Sequence, residues 1–436
     1  MKPVSDTTIC VVDSGGLFLP LALRLAEDFK HCFYFSPYEQ GFSHIAKGCI
    51  GDGFEDRNLE RVSGVFAAKR KGADVFCFPD IEQSDLQVEL RSQGIPVWGS
   101  GAGDSIELNR EKFARILKET GLEVFPHTVV VGVEALREHL RDAEDKFIKI
   151  SRWRGDMETS HWRSYREDSS LLDQWSLKFG PLPMRFLVCD SIETDLEIGG
   201  DTYSVLGQWP SLMLNGLEWK DSAYLSAVTK REDMPEQIQE VMEALSPVFK
   251  AHGVANEFSS EIRIEKDTGK AFFTDPTMRG GLPSTGSQLM AWKNISEIVL
   301  AGAHGELVDP VPDCQYTAEA ILKTKSNRKG WECLEFTDDL IPHAKIASCC
   351  FHDGQYCVPP DDEGEKAIGW LVSTGDTPTE VLENLKEMAE ELPDGVSADV
   401  ESIADIIQEI ESAEKEGIEF GNTAHPMPEP ADVLES

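Results

Sequence analysis

Within residues 257–281, EFSSEIRIEKDTGKAFFTDPTMRGG, the carboxylates of Glu261 and Asp275, the Thr277 hydroxyl and the Arg279 guanidinium stand at spacings that could bring them together. From Glu257 to Glu265 the chain alternates: Ile262 and Ile264 point one way, while Ser259, Glu261, Arg263 and Glu265 point the other. Lys266 and Lys270 bracket Asp267-Thr268-Gly269, a loop with glycine where a type I turn plus bulge needs positive φ. Counting back from that loop places Glu261 opposite Asp275. Facing carboxylates repel unless a cation lies between them, and oxygen ligands suit Mg²⁺. Thr277 and Arg279 follow at alternate positions and would line the same place, a setting for a metal-bound phosphate. A solvated acidic hairpin explains these residues equally well, so other stretches must decide.

Two further groups of cations bear on that choice. KFIKIS at 146–151 reads as a strand with Lys149 inside its apolar run, and the loop after it, RWRGDMETSHWR, carries Arg152, Arg154, His161 and Arg163. A strand lysine beside a cationic loop could clamp a polyphosphate, or the loop could be a charged tip. Asn109 can cap the helix REKFARILKETG, closed by Gly121, with Phe113, Ile116 and Leu117 on one face and Lys112 off it. A cation in a first helical turn gains nothing from the helix dipole, so Lys112 is either solvated or reaches for an anion.

The elements that must position these groups begin with a buried strand, Thr8 to Val12, then Asp13-Ser14-Gly15-Gly16 and an apolar helix containing Pro20. Strand and helix alternate to about residue 103, which implies a parallel sheet with helices on both faces. Glycines between the first strand and helix could admit a phosphate, but the full G-x-G-x-x-G is absent, which argues against a nicotinamide-dependent oxidoreductase. MRFLVCDSIETDLEIGGDTYSVLGQWP gives strand, bend and strand, with Asp190, Glu193 and Glu197 near the bend. Pro235 to His252 is an amphipathic helix leading into the hairpin. From about 306 the strands shorten, Thr377-Pro378-Thr379-Glu380 forms a capping box, and the proline-rich end is expected to be disordered.

A chain of 436 residues predicts several domains, and a formal charge of −37 disfavours nucleic acid and acidic lipid as partners. No run approaches the ~20 apolar residues of a membrane span and no signal peptide core is seen, so a cytoplasmic protein is expected. The 10 cysteines are scattered within apolar runs without C-x-x-C spacing and are expected to be reduced.

Taken in this order the chain resembles the ATP-grasp superfamily, most closely its phosphoribosylamine–glycine ligases. The similarity starts at GIPVWGSGAGDSIELNREKFARILKETGLEVFP and runs to about residue 400. It implies an α/β and α+β multidomain fold: a Rossmann-like domain at 1–103, an ATP-grasp domain at 104–305 with a lid at about 125–205, a C-terminal α+β domain at 306–418, and a tail at 419–436. It implies that Lys112 contacts ATP phosphate, that Lys149 holds the α- and β-phosphates, and that residues 152–160, with Arg152 and Arg154, cover them. Asp190 falls in the hinge that usually carries glutamates for adenine and ribose, Glu197 lies close to the later acid of that segment, and Glu261 and Asp275 match the ligands for Mg²⁺ or Mn²⁺. Arg279 matches the arginine at the transferred phosphoryl group. Thr277 stands where the family has asparagine, Asp275 where it has glutamate, and Gly-Gly-Leu-Pro-Ser after Arg279 where it has Gly-Asp-Pro-Glu. Glycine and phosphoribosylamine are therefore not carried over as substrates.

The implied activity is ATP-dependent joining of a small carboxylate to a small amine through an acyl-phosphate, with no protein nucleophile. An ATP-binding protein of weak catalytic power with a regulatory role is the alternative. A homodimer is compatible with either.

Overall fold

The computed structural model describes the chain except residues 38–47, 82, 153–157, 221, 325–330, 360–365 and 416–436. The first sheet takes the alternating apolar runs. Thr8–Val12 (β1), His31–Phe35 (β2), Leu59–Arg61 (β3), Val75–Cys77 (β4) and Val97–Trp98 (β5) pair in parallel in the order β3-β2-β1-β4-β5. Successive residues Ile9, Cys10, Val11 and Val12 are all buried, as expected of a strand covered on both faces. Leu19–Asp28 (α1) starts later than the apolar run, so Pro20 falls in its first turn, where no helical N–H is lost. The Asp13 carboxylate accepts from the Leu17 and Phe18 amides and from the Tyr34 hydroxyl, which fixes the entry to this helix.

Val65–Lys71 (α2) and Ser84–Ser92 (α3) complete that layer, and Asp104–Leu108 (α4) leads into Arg110–Thr120 (α5). Asn109 caps α5 by accepting from the Lys112 amide at 3.0 Å, and Gly121 ends it at φ 84°. His127–Val131 (β6), Lys146–Ile150 (β7), Thr159–Trp162 (β8) and Arg185–Asp190 (β9) form an antiparallel sheet, order β6-β9-β7-β8. Val133–His139 (α6) and Tyr165–Phe179 (α7) cover it, and its own core includes Trp162, Leu172, Trp175 and Phe186. This is the lid region of the sequence reading, with a core separate from the main one.

The largest sheet holds Thr194–Val205 (β10), Leu212–Trp219 (β11), Ala223–Lys230 (β12), Ala255–Glu265 (β13) and Ala271–Thr277 (β14). It continues through Tyr316–Thr324 (β15), past the short Glu332–Leu334 (β16), to Ala344–Ile346 (β17) and, after Cys350–His352 (β18) and Gln355–Val358 (β19), to Lys366–Gly375 (β20) and Val396–Ala398 (β21). Its order is β14-β13-β10-β11-β12-β15-β20-β17, with β21 beside β15. The strands expected in a separate C-terminal piece thus extend the central sheet, because β15 pairs with β12 along one edge and β20 along the other.

Glu236–His252 (α8) lays Ile238, Val241, Met242 and Leu245 in the core beside Phe258 and Ile262. Thr285–Ala291 (α9) and Ile295–Ala303 (α10) bridge to the first sheet. Pro378–Glu390 (α11) has the expected capping box: Thr377 Oγ1 accepts from the Glu380 amide, and Glu380 in turn accepts from the Asp376 amide. Glu401–Lys415 (α12) packs along β11 and β12 through Ile403, Ile406 and Ile410.

One expectation needs correction. Cys333 and Cys357 lie opposite one another on β16 and β19 and are joined as a disulfide, because antiparallel pairing brings their Cα atoms to 4.0 Å. Among the described residues no helix is long and apolar enough to cross a membrane.

The joint between the first and largest sheets has little slack. A Cβ added at Gly302 of α10 would meet the Trp98 ring of β5 at 2.3 Å. Gly302→Val is therefore expected to cost about 1–3 kcal/mol through overpacking, seen as a lowered thermal midpoint; an unchanged midpoint would mean that α10 and β5 are not packed this way.

Candidate active site

The β13–β14 hairpin places Glu261 opposite Asp275 and Ser259 opposite Thr277. It reaches that register by a different route from the one the sequence suggests. Gly269 does take positive φ, 69°, but Glu265 rather than Lys266 faces Lys270: the Glu265 amide donates to the Lys270 carbonyl and the Gly269 amide to the Glu265 carbonyl, both at 2.8 Å. The resulting offset is absorbed by a bulge at Thr274, between the Glu261–Asp275 and Ile262–Phe273 pairs. Bulges re-aim side chains; here the Thr274 hydroxyl donates to Glu261 Oε1 at 2.9 Å.

The same sheet face carries Glu197, Gly199 and Asp201 of β10, which pair with Arg263, Glu261 and Ser259. Gly199 pairs onward with Gly216 of β11. Because strand side chains alternate, these positions form one polar floor. Ile198 and Ile262 turn to the other face, into the main core with α8.

Cations arrive at this floor from other elements. Lys149 of β7 puts Nζ 3.3 Å from Asp275 Oδ2 and donates to the Thr274 carbonyl at 2.9 Å. Arg110, the first residue of α5, pairs with Asp275 through one guanidinium nitrogen and with Glu158 through another, and is itself buried. Burial alone would raise the Asp275 pKa, but Arg110 and Lys149 outweigh it and hold the carboxyl at about 2. Arg279 Nε lies 3.2 Å from Glu107 Oε1, while Glu107 Oε2 accepts from the Met278 amide at 2.6 Å. Glu107 therefore fixes both the backbone and the side chain at the end of β14.

Above the floor lies a cavity of about 570 Å³. Phe125, Phe147, Cys189 and Ile192 line one part, and Glu261, Asp275, Thr277 and Arg279 another. The Arg263 guanidinium sits over the Phe147 ring, 5.5 Å from its centroid, and binds Glu197 at 2.9 Å. Partial burial, then the nearby Glu261 charge, raise the Glu197 pKa to about 7 in spite of that arginine. Asp190 is held by Lys146 at 2.8 Å. An apolar, aromatic recess beside a hydroxyl, two carboxylates and two fixed cations can take a planar ring at one end and an anionic group with its counter-cation at the other.

Lys149, Asp190, Glu197, Glu261, Asp275, Thr277 and Arg279 all line this cavity. Lys112 does not. Its ammonium contacts Ser105 and His252 Nε2, and burial lowers its pKa. The cation that reaches Asp275 from α5 is Arg110, and the signal for it was present: Arg110 shares the buried stripe with Phe113, Ala114 and Leu117, where a charge requires a partner. Arg152 is exposed and its amide donates to the Leu108 carbonyl, while Arg154 and most of the 152–160 loop lie outside the described residues.

The Asp275 pairs give a pH signature. A carboxyl held at about 2, below the ordinary aspartate value near 3.9, stabilises the fold above that value, and the contribution disappears as pH falls toward 2. Arg110→Met should remove on the order of 3 kcal/mol and move the acid unfolding limb to higher pH. An acid limb identical to wild type would contradict the pairing.

No protein-family model matches the chain, and no curated protein sequence does. Solved structures do. The phosphoribosylamine–glycine ligase of Thermotoga maritima superposes with TM-score 0.63 at 14% identity, covering 90% of this chain and 99% of its own. The biotin carboxylase domain of the Hydrogenobacter thermophilus 2-oxoglutarate carboxylase, solved with MgADP, ADP and bicarbonate, gives TM-score 0.64 at 11% identity over 92% and 94%. An L-amino acid ligase from Bacillus licheniformis gives 0.59 at 14% over 89% and 98%. With its parallel first sheet, four-stranded lid and large antiparallel sheet carrying the Glu261–Asp275 hairpin, the chain has the ATP-grasp fold.

Proposed function

We propose that the protein is an ATP-dependent carboxylate–amine ligase. The observation that carries this reading is the Asp275 carboxylate, opposite Glu261 and gripped by Lys149 and Arg110 at the polar end of a cavity whose other end is aromatic. The ligase names of structural neighbours that superpose over most of their length support the same class.

In this reading the adenine lies in the recess of Phe147, Cys189 and Ile192, with Asp190 and Glu197 near the base and ribose. Lys149 holds the α- and β-phosphates, Arg110 keeps Asp275 ionised, and Arg279, anchored by Glu107, meets the γ-phosphoryl group. The donors fit Mg²⁺: Glu261, Asp275 and Thr277 would hold it, since they offer the hard oxygens such an ion prefers. When bound there, the ion neutralises charge on the phosphates being separated.

A substrate carboxylate oxygen attacks the γ-phosphorus, the bond to ADP breaks, and an acyl-phosphate forms. An amine nitrogen then attacks the acyl carbon, the C–N bond forms, and phosphate leaves with the C–O electron pair while the nitrogen loses a proton. No side chain need become covalently bound; positioning and charge neutralisation carry the rate.

Hydroxylamine tests the acyl-phosphate directly, since it captures such a species as a hydroxamate. With MgATP and a panel of amino acids and other small carboxylates, at least one acid should give hydroxamate and ADP in equal amounts. Glu261→Gln should lower the rate about 100-fold or more. MgATP binding without hydroxamate from any acid would favour the binding role over the ligase.

A further inference from the structure

Asp201 of β10 lines the cavity but is held differently from the acids around it. Asp190, Glu197, Glu261 and Asp275 each stand beside a cation: Lys146 at 2.8 Å, Arg263 at 2.9 Å and at 3.6 Å, and Lys149 at 3.3 Å. Such carboxylates keep a fixed charge. Asp201 is buried and forms no ion pair among the described residues; its side-chain partners are hydroxyls. Oδ1 accepts from Ser259, and Oδ2 accepts from Tyr224 at 2.5 Å. A hydroxyl both donates and accepts, so a carboxylate joined to a cavity through hydroxyls can exchange a proton with it. Burial pushes the Asp201 pKa up against these hydrogen bonds, which suits a group that must accept a proton.

The sheet sets where this relay opens. Ser259 of β13 is in register with Asp201 on one side and with Thr277 on the other, so its hydroxyl stands on the polar floor. It also lies against the loop that follows Arg279, since a Cβ added at Gly281 would come within 3.2 Å of Ser259 Oγ. Tyr224 of β12 reaches Asp201 across Gly216, where a Cβ would fall 2.1 Å from the tyrosine hydroxyl. Only glycine leaves that path clear. Ser259 and Tyr224 both border the cavity, so the chain of hydrogen bonds starts beside the Arg279–Gly281 segment, passes through a buried carboxylate and returns to open space.

The second half of the proposed reaction has a proton to place. An aliphatic amine, like the lysine side chain, titrates at about 10 and arrives as an ammonium with no lone pair for attack. We infer that Asp201, acting through the Ser259 hydroxyl, takes this proton and frees the amine to attack the acyl-phosphate. The inference rests on the ligase reading. As the ammonium gives its proton to Ser259 Oγ, Ser259 passes its own to Asp201 Oδ1. The neutral nitrogen then attacks the acyl carbon and the C–N bond forms. The C–O bond breaks with its electron pair going to phosphate, which takes the second proton from nitrogen. Asp201 gives up its proton through the Tyr224 hydroxyl to solvent, and the carboxylate is restored.

Two nucleophiles of nearly equal size separate this role from a structural one. Hydroxylamine is mostly uncharged at neutral pH, whereas methylamine is an ammonium that must first lose a proton. The full chain is incubated with MgATP, the acid of the panel that gives the most hydroxamate, and one or the other nucleophile; hydroxamate and N-methylamide are measured by mass spectrometry. Wild type should form both. In Asp201→Asn, whose side chain can still accept from both hydroxyls, the ratio of N-methylamide to hydroxamate should fall about 100-fold or more. Ser259→Ala should lower the ratio in the same way, carrying the test should Asp201→Asn fail to fold, and Ser259→Thr, which keeps a hydroxyl, should restore it. A wild-type ratio in Asp201→Asn or in Ser259→Ala would overturn the inference, as would a wild type that forms hydroxamate but no N-methylamide. No hydroxamate from any acid would instead remove the ligase reading, and this inference with it.

Discussion

The Asp275 carboxylate is the point on which the site depends. It belongs to the largest sheet, yet its partners come from elsewhere, Arg110 from α5 and Lys149 from the lid sheet. Partial burial of a carboxylate is costly unless cations compensate, so the low pKa of half-buried Asp275 depends on these three elements being docked. The docking therefore assembles the cavity and its charge together. In the proposed reading, the same pairs let cations serve a phosphate in a protein of net charge −37: each is held by a nearby acid until a more strongly charged ligand arrives.

Sheet alternation does the rest of the positioning. Glu197, Asp201, Ser259, Glu261, Asp275 and Thr277 share one face because their strands are in register, and the residues between them anchor the other face on α8. A slip of one residue would exchange these sets. The bulge at Thr274 prevents this, correcting the offset introduced by the hairpin loop and giving Glu261 an additional donor. The glycine pair 199 and 216 keeps the floor between β10 and β11 free of side chains.

Much of this was legible in the sequence, for physical reasons that also mark the limits. The pairing of Glu261 with Asp275 follows from strand periodicity and one glycine turn, although the count succeeded only because loop and bulge offsets cancel. The parallel first sheet follows from buried apolar runs alternating with helices. Helix position alone singled out Lys112 on α5, which is not among the residues lining the cavity; Arg110 lies on the apolar stripe and is the cation of this helix that reaches Asp275. The continuation of the largest sheet through β15 and β20 was invisible, since local sequence shows that a segment is extended but not which distant edge it joins. The Cys333–Cys357 bridge depended on the same kind of long-range pairing.

The central claim is that the face around Asp275 binds the phosphates of MgATP. Calorimetric titration of ATP into the chain, with and without Mg²⁺, in wild type and in Lys149→Ala, tests it most directly. The account predicts saturable binding at one site that needs Mg²⁺ and weakens at least tenfold in the variant. No binding by wild type at millimolar nucleotide, or equal affinity in both proteins, would contradict it.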